Sequence, residues 1–295
     1  MCVRDIILDN CFTKMNPKLI DISLPISHNA VQFNFFGGLN MLSEQAKKTF
    51  SNLELPYPAV AVKFCRNRPE NFQQAEGIDV FCSFLKKAQD ESRAFFTTME
   101  NDECMGKVVL GMTDLETNHG SGQVGYEMGL FRTAAANARL YHEAKMLKRG
   151  VCNFVVFCPV HLCEFNPDLI ICIAPTEKAQ LLLRATSYIS GDLWESKCSY
   201  VMTCAWTYVY PYVSGKVNHL FTGMHLGLQI RQSYPQGLHI ISIPYQKLDE
   251  VVIALNEMEH VPLELLTDAE SRKKSEKLHT RLDTLAADIN VPNRL

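Results

Sequence analysis

The chain has 295 residues, 47% hydrophobic and 21% charged, which is the composition of a packed protein with room for one large domain or two ordinary ones. A net charge of −3 leaves no basic surplus, which argues against nucleic acid and anionic membrane as partners. No run approaches the roughly 20 apolar residues that cross a bilayer. The most apolar stretch, Val151 to Cys163, is interrupted by Asn153, Pro159 and His161.

At the N-terminus, Arg4, Asp5 and Asp9 sit where a secretory signal needs an unbroken apolar core, so the cytoplasm is the expected compartment. A strand is expected near Leu19–Leu24. Leu39, Leu42, Ala46 and Phe50 then share one helical face, and Pro56 and Pro58 stop that helix. Ala59 to Phe64 reads as a buried strand, Ser83 to Ala88 as a helix, Ala94 to Thr98 as a strand and Gly106 to Met112 as a short helix. The polar, glycine-rich run Asp114 to Gly125 predicts a loop, and Leu130 to Arg149 an alanine-rich helix closed by Gly150.

Val151–Phe157 and Leu169–Ala174 are apolar enough for buried strands, and Pro175 opens a helix that runs to Ile189. Cys198 to Tyr212 is apolar on nearly every face, so it reads as a central buried helix or a pair of strands. Further strands are expected at Val217–Phe221 and Leu238–Ile243, with an amphipathic helix at Leu248–Met258. The charged tail after Pro262 keeps Leu263, Leu266, Leu278, Leu282 and Leu285 as its apolar residues, the pattern of a helical hairpin docked on the body or on a second subunit. The expected organisation is therefore one α/β (or α+β) body over residues 1–261, a mixed sheet with flanking helices, and a helical appendage over 262–295. An internal echo, strand–helix–Cys104 against strand–helix–Cys204, suggests pseudo-symmetric halves.

Eleven cysteines are many for a chain of this size, and none falls in a C-x-x-C pair. In a reducing compartment they stay thiols, mostly as small buried hydrophobes. Cys82 and Cys104 each stand at the head of an expected helix, where the positive end of the helix dipole favours a thiolate. With Cys204 they make a candidate site for an iron–sulfur cluster or soft metal, which wants three or four thiolates. The plainer reading is three structural thiols. His119, His219 and His225 are the histidines in polar or glycine-flanked settings, and His225 is the one placed to face a pocket. Lys63, at the end of a strand, is placed to hold an anionic group of a ligand or to snorkel to the rim.

Two further patterns weigh less. Gly120-x-Gly122-x-x-Gly125 matches a dinucleotide fingerprint in letters but lacks the strand before it and the acidic residue after it, so a loop over the body is expected. Trp206, Tyr208, Tyr210 and Tyr212 alternate at period two, which on a strand would line one face as a stacking surface or, more plainly, as core.

The order of Pro58-Ala-Val-Ala-Val-Lys63-Phe, Cys82 with Ala88, Cys104 with Gly106 and Gly111, Pro167-Asp168-Leu-Ile, Pro175-x-x-x-Ala179, Tyr188-x-x-Gly191 and Pro211-Tyr-Val-Ser-Gly215 resembles the uncharacterised archaeal conserved region family, domain of unknown function 169, over roughly residues 40–258. The resemblance implies a cytoplasmic protein frequent in anaerobic archaea and bacteria, with no established activity. Its recurrent cysteines match Cys82 and Cys104, with Cys204 the looser match. Where a further cysteine beside a glycine is expected, this chain has Thr222-Gly223, which leaves His225 or an external ligand to complete a four-ligand set.

The readings that follow are a redox or metallocofactor protein built on the three thiolates, a non-enzymatic small-molecule binding module, and a structural subunit of an anaerobic enzyme complex docking through its C-terminal helices, as homo-oligomer or otherwise. No membrane or nucleic-acid partner is expected, and the sequence names no reaction.

Overall fold

In the computed structural model the protein is described over residues 41–258, together with Lys273 and Lys277, which are helical and exposed. The strand expected at Leu19–Leu24 and the C-terminal hairpin lie outside the described residues. The first helix, α1 (Glu44–Ser51), is started by Ser43, whose hydroxyl accepts the Ala46 N–H at 3.1 Å.

Six strands form one sheet: β1 (Val60–Cys65), β2 (Phe95–Thr97), β3 (Phe154–Pro159), β4 (Leu169–Ala174), β5 (Asn218–Phe221) and β6 (His239–Pro244), in the spatial order β2-β3-β1-β4-β6-β5. Every pairing between these strands is antiparallel, with Val62 opposite Phe157 on one side and Leu169 on the other. Parallel pairing, the other half of the mixed sheet expected, is confined to the isolated bridges Gln74–Phe96 and Asp79–Asp102.

The strand order repeats about the centre. β1 and β4 lie side by side, each flanked by the third strand of its half and then by the second at the edge. The helices break that repeat. α2 (Phe81–Glu91), which follows β1, packs with Val60, Val62, Phe157 and Leu169 on one face, whereas α7 (Thr176–Ser187), which follows β4, packs with Ala61, Ile170 and Cys172 on the other.

Both faces are thus covered, α1, α7 and α10 (Tyr245–Glu257) sharing the second. That is why Leu-Ile-Ile-Cys-Ile-Ala of β4 is apolar at consecutive positions instead of alternating: all six residues are buried. Burial of such side chains, at roughly 25 cal/mol per Å² of apolar surface, is the main force holding the three layers together.

Between β2 and β3, after a 3-10 turn at Met99–Asn101, run four short α-helices, α3 (Gly106–Val109), α4 (Thr117–Gly120), α5 (Gln123–Glu127) and α6 (Ala134–Glu143). The run expected as a loop is thus largely helical, and the helix expected over Leu130–Arg149 is confined to ten residues started by Thr133, whose hydroxyl accepts the Ala136 N–H at 3.2 Å. The glycines explain the first difference. Gly122 has φ +78°, and a Cβ there would lie 2.0 Å from the Ala134 carbonyl, while one on Gly125 would meet the Asn137 amide at 2.3 Å. The motif is a close-packing device for α5 on α6.

Of the two readings of Cys198–Tyr212, the helical one is realised, as a π turn over Ala205–Val209 leading into α8 (Tyr210–Ser214). Pro211 supplies the cause: with no N–H it cannot bond to Thr207, and the wider turn absorbs the break. The period-two aromatics therefore line no strand. Trp206 and Tyr208 are core residues, and the Trp206 indole N–H donates to Ser199 Oγ at 2.8 Å. Among the described residues, no helix is long and apolar enough to cross a membrane.

Candidate functional site

The site is organised by a carboxylate. α2 begins at Phe81 without a capping side chain of its own, because Val80 has none to offer. Asp102 takes that role from across the fold: Oδ1 accepts the N–H of Phe81 at 3.1 Å and of Cys104 at 2.9 Å, and Oδ2 accepts the N–H of Lys107. One residue thereby ties the start of α2 to the start of α3. Asp102 is 3% exposed, and burial raises its pKa against the opposing pull of those N–H groups. Gly106 permits the approach, since a Cβ there would fall 2.3 Å from the Phe81 Cβ.

Cys82, one residue inside α2, and Cys104, just ahead of α3, consequently come to the same wall. Cys204, immediately before the π turn, joins them. All three line one apolar cavity of about 280 Å³, as do the methionines Met105, Met128 and Met202, so six sulfur-bearing residues contribute to a single chamber. Further parts of its wall come from His119 of α4, from α5, from Asn137 and Tyr141 of α6, and from α9 (Leu226–Arg231). At the mouth, Arg231 Nη2 donates to Glu103 Oε1 at 2.9 Å. A second cavity of about 680 Å³ adjoins it, sharing Cys104, Met105 and His119 in its wall.

The thiols are protonated in this setting. Burial, first, and then the neighbouring sulfurs push Cys204 well above the ordinary thiol range. Burial, Cys104 and Asp102 raise Cys82. Cys104, which keeps an exposed edge, is also raised, chiefly by desolvation, although the Met105 N–H opposes the shift. The helix-start advantage expected for Cys82 and Cys104 is therefore outweighed by the loss of water.

Lys63 and His225 stand elsewhere. By strand alternation Lys63 shares the face of Ala61, opposite the chamber, and its Nζ donates to the Asn166 carbonyl at 2.6 Å. His225 precedes α9, is 1% exposed, and lies next to the lining residues Leu226 and Gly227 without itself lining the chamber. Its pKa is lowered by burial, against a smaller opposing effect of the Ser199 backbone. His219 belongs to a chain on the other face: its Nε2 lies 2.8 Å from His239 Nδ1, and His239 Nε2 lies 3.1 Å from Thr176 Oγ1. His119 lines both cavities.

Sequence reasoning overlooked Asn137, Tyr141, Arg231 and the three methionines. No local pattern marks them, because they reach the chamber from separate segments whose packing sets their direction. Among the described residues, no group of three or more His, Cys, Asp or Glu is placed to hold a metal ion as it stands.

Residues 51–254 match the family described as uncharacterised ArCR, domain of unknown function 169. The uncharacterized protein MJ0308 of Methanocaldococcus jannaschii is 21% identical over 228 residues, covering 76% of this chain and 97% of that protein. No solved structure matches the chain.

Proposed function

This chain belongs to the uncharacterised ArCR family, domain of unknown function 169, which brings no activity with it, and from its own residues we propose that it is a small-molecule binding protein whose ligand occupies the sulfur-lined chamber. The observation that carries this reading is the convergence of Cys82, Cys104 and Cys204, from three separate segments, on one apolar cavity together with three methionines. Apolar walls with a few polar groups are the usual make-up of a ligand pocket. Neutral thiols and thioethers are polarisable contacts that adapt to an irregular ligand. Free thiols of this number suit a reducing, cytoplasmic setting.

A glycine in the wall supplies the test. Gly227 lines the chamber, and a Cβ built on it meets nothing within 4 Å, so a larger side chain there enters open space. The wild-type protein is expected to bind a neutral, polarity-sensitive naphthalene dye saturably at one site. Gly227→Phe is expected to abolish that binding while leaving the melting temperature within a few degrees. Undiminished binding by the variant would place the dye elsewhere and remove the reading.

The three thiols also favour a second reading, a soft metal ion or iron–sulfur cluster. The Cys and Met donors are of the right softness, and a bound cation would deprotonate the thiols that burial now keeps neutral. As placed, the cysteines are not within reach of one ion, so a metal would need the wall to close on it. Protein purified without oxygen is expected, on this reading, to carry metal in stoichiometric amount with visible absorbance, both lost in Cys82→Ser and Cys104→Ser. Colourless, metal-free protein decides for the small molecule.

A further inference from the structure

A second pair of sulfurs lies on the other face of the sheet. Cys158, near the end of β3, and Cys163, just past the 3-10 turn Val160–Leu162, are 1% and 0% exposed, in the core that α1 shares with β4. The two side chains are in contact: the Cys158 thiol donates a hydrogen bond to the Cys163 sulfur. That bond lowers the pKa of Cys163, helped by the Phe165 backbone N–H, Lys47 of α1 and Lys63 of β1, and prevails over desolvation. The same bond raises Cys158. Lys63, which turns away from the chamber, thus meets a sulfur anion on its own face. Cys65, Cys82, Cys104, Cys152, Cys172 and Cys204 are all raised instead. Around the pair His161, Leu162 and Glu164 are exposed, so a single turn of chain covers the sulfurs.

We propose that Cys158 and Cys163 are a redox-active dithiol that hydrogen peroxide closes to a disulfide, pinning the turn between β3 and β4. The pair has the parts such chemistry needs: a thiolate beside cations to attack, and a neutral thiol in contact with it to resolve. In the first step the Cys163 thiolate attacks one peroxide oxygen, the O–O bond breaks, and the departing hydroxide leaves as water with the proton that Cys163 gave up. In the second the Cys158 sulfur attacks the sulfenic sulfur so formed, the S–S bond forms and the S–O bond breaks. The leaving hydroxide takes the Cys158 proton. Two thiols and one peroxide thus give one disulfide and two waters, with two electrons passing from sulfur to peroxide oxygen. Peroxide is little larger than water, so a brief local opening of the covering turn admits it where a bulkier alkylating reagent stays out. The bridge would fix the turn against which Ala46 and Phe50 of α1 pack.

Peptide mapping of reduced protein treated with hydrogen peroxide at pH 7 tests it, with chymotrypsin, which cuts after Leu162 and so separates the two cysteines. The peptides of Cys158 and Cys163 are expected to appear joined, lighter by two hydrogens and parted again by dithiothreitol. Exposed Cys104 has access on its side and Cys163 has charge, and the joined peptides are expected at least tenfold sooner than any oxidation of Cys104. In Cys158→Ser, dimedone is expected to trap the sulfenic acid on Cys163. Because a change in the core can unfold the protein, Lys47→Met serves as a second variant, expected to slow the linkage severalfold with the melting temperature held within a few degrees. Cys158 and Cys163 still free when Cys104 is oxidised, a bridge to another cysteine instead, or a rate untouched by Lys47→Met overturns the inference. None of these outcomes bears on the chamber as a ligand site.

Discussion

Cys82, Cys104 and Cys204 share one side chain and one cavity, yet they differ in access. Cys204 is 4% exposed, Cys82 is half-buried and Cys104 keeps an exposed edge. All three thiols are raised in pKa, so at pH 7 each holds less thiolate than an ordinary cysteine. Iodoacetamide at pH 7, read by peptide mapping, is therefore expected to label Cys104 slowly and the other two hardly at all, with Cys104 labelling faster as pH rises past the ordinary thiol range. Rapid labelling of Cys82 at neutral pH would contradict the protonated state. Asp102 is the residue on which their arrangement depends. Asp102→Ala leaves three N–H groups at the heads of α2 and α3 without their acceptor and is expected to lower stability by about 3 kcal/mol, seen as a fall in chemical-denaturation midpoint. Asp102→Asn keeps one acceptor and should cost less.

At the scale of elements, the short helices between β2 and β3 decide the shape of the chamber. α5 reaches its wall only because Gly122 lets its backbone lie against α6. Gly122→Ala is expected to cost about 2 kcal/mol or more, combining positive φ with a clash against the Ala134 carbonyl, and to weaken dye binding by shifting Val124 and Met128. Gly129→Ala is the control: it has φ +70° but open space around it, and should cost about 1 kcal/mol without touching the chamber. Thermal unfolding and dye titration on the pair separate a packing role from a merely conformational one. The six letters Gly120 to Gly125 thus matter for helix contact, which their spacing alone did not reveal.

Across the whole molecule, buried histidines make stability depend on pH on both sheet faces. His225 borders the chamber, and His219 with His239 lies on the opposite side; burial lowers the pKa of all three, with His239 also lowering His219. Each binds its proton more weakly folded than unfolded. Their contribution to stability is therefore full above the unfolded histidine value near 6.5 and is lost as pH falls through the lower folded values. Melting temperature is expected to drop between pH 7 and pH 5, and less steeply in His239→Gln; a flat profile would show that these rings are solvated. Most of the fold was legible in the chain: the apolar runs of β1, β3, β4 and β6 and the helical period of α10 follow from local pattern, because side-chain alternation acts within a few residues, whereas the caps Ser43 and Thr133 that set where α1 and α6 start were not read from it. Cys82 and Cys104 were picked out by their places at expected helix starts, and Cys204 by the internal echo and the looser family match. That these thiols share a cavity with Met105, Met128, Met202 and Asn137, that they are neutral there, and that Lys63 turns away from them were decided only by packing: which face a helix covers and how much water it excludes depend on residues tens of positions apart.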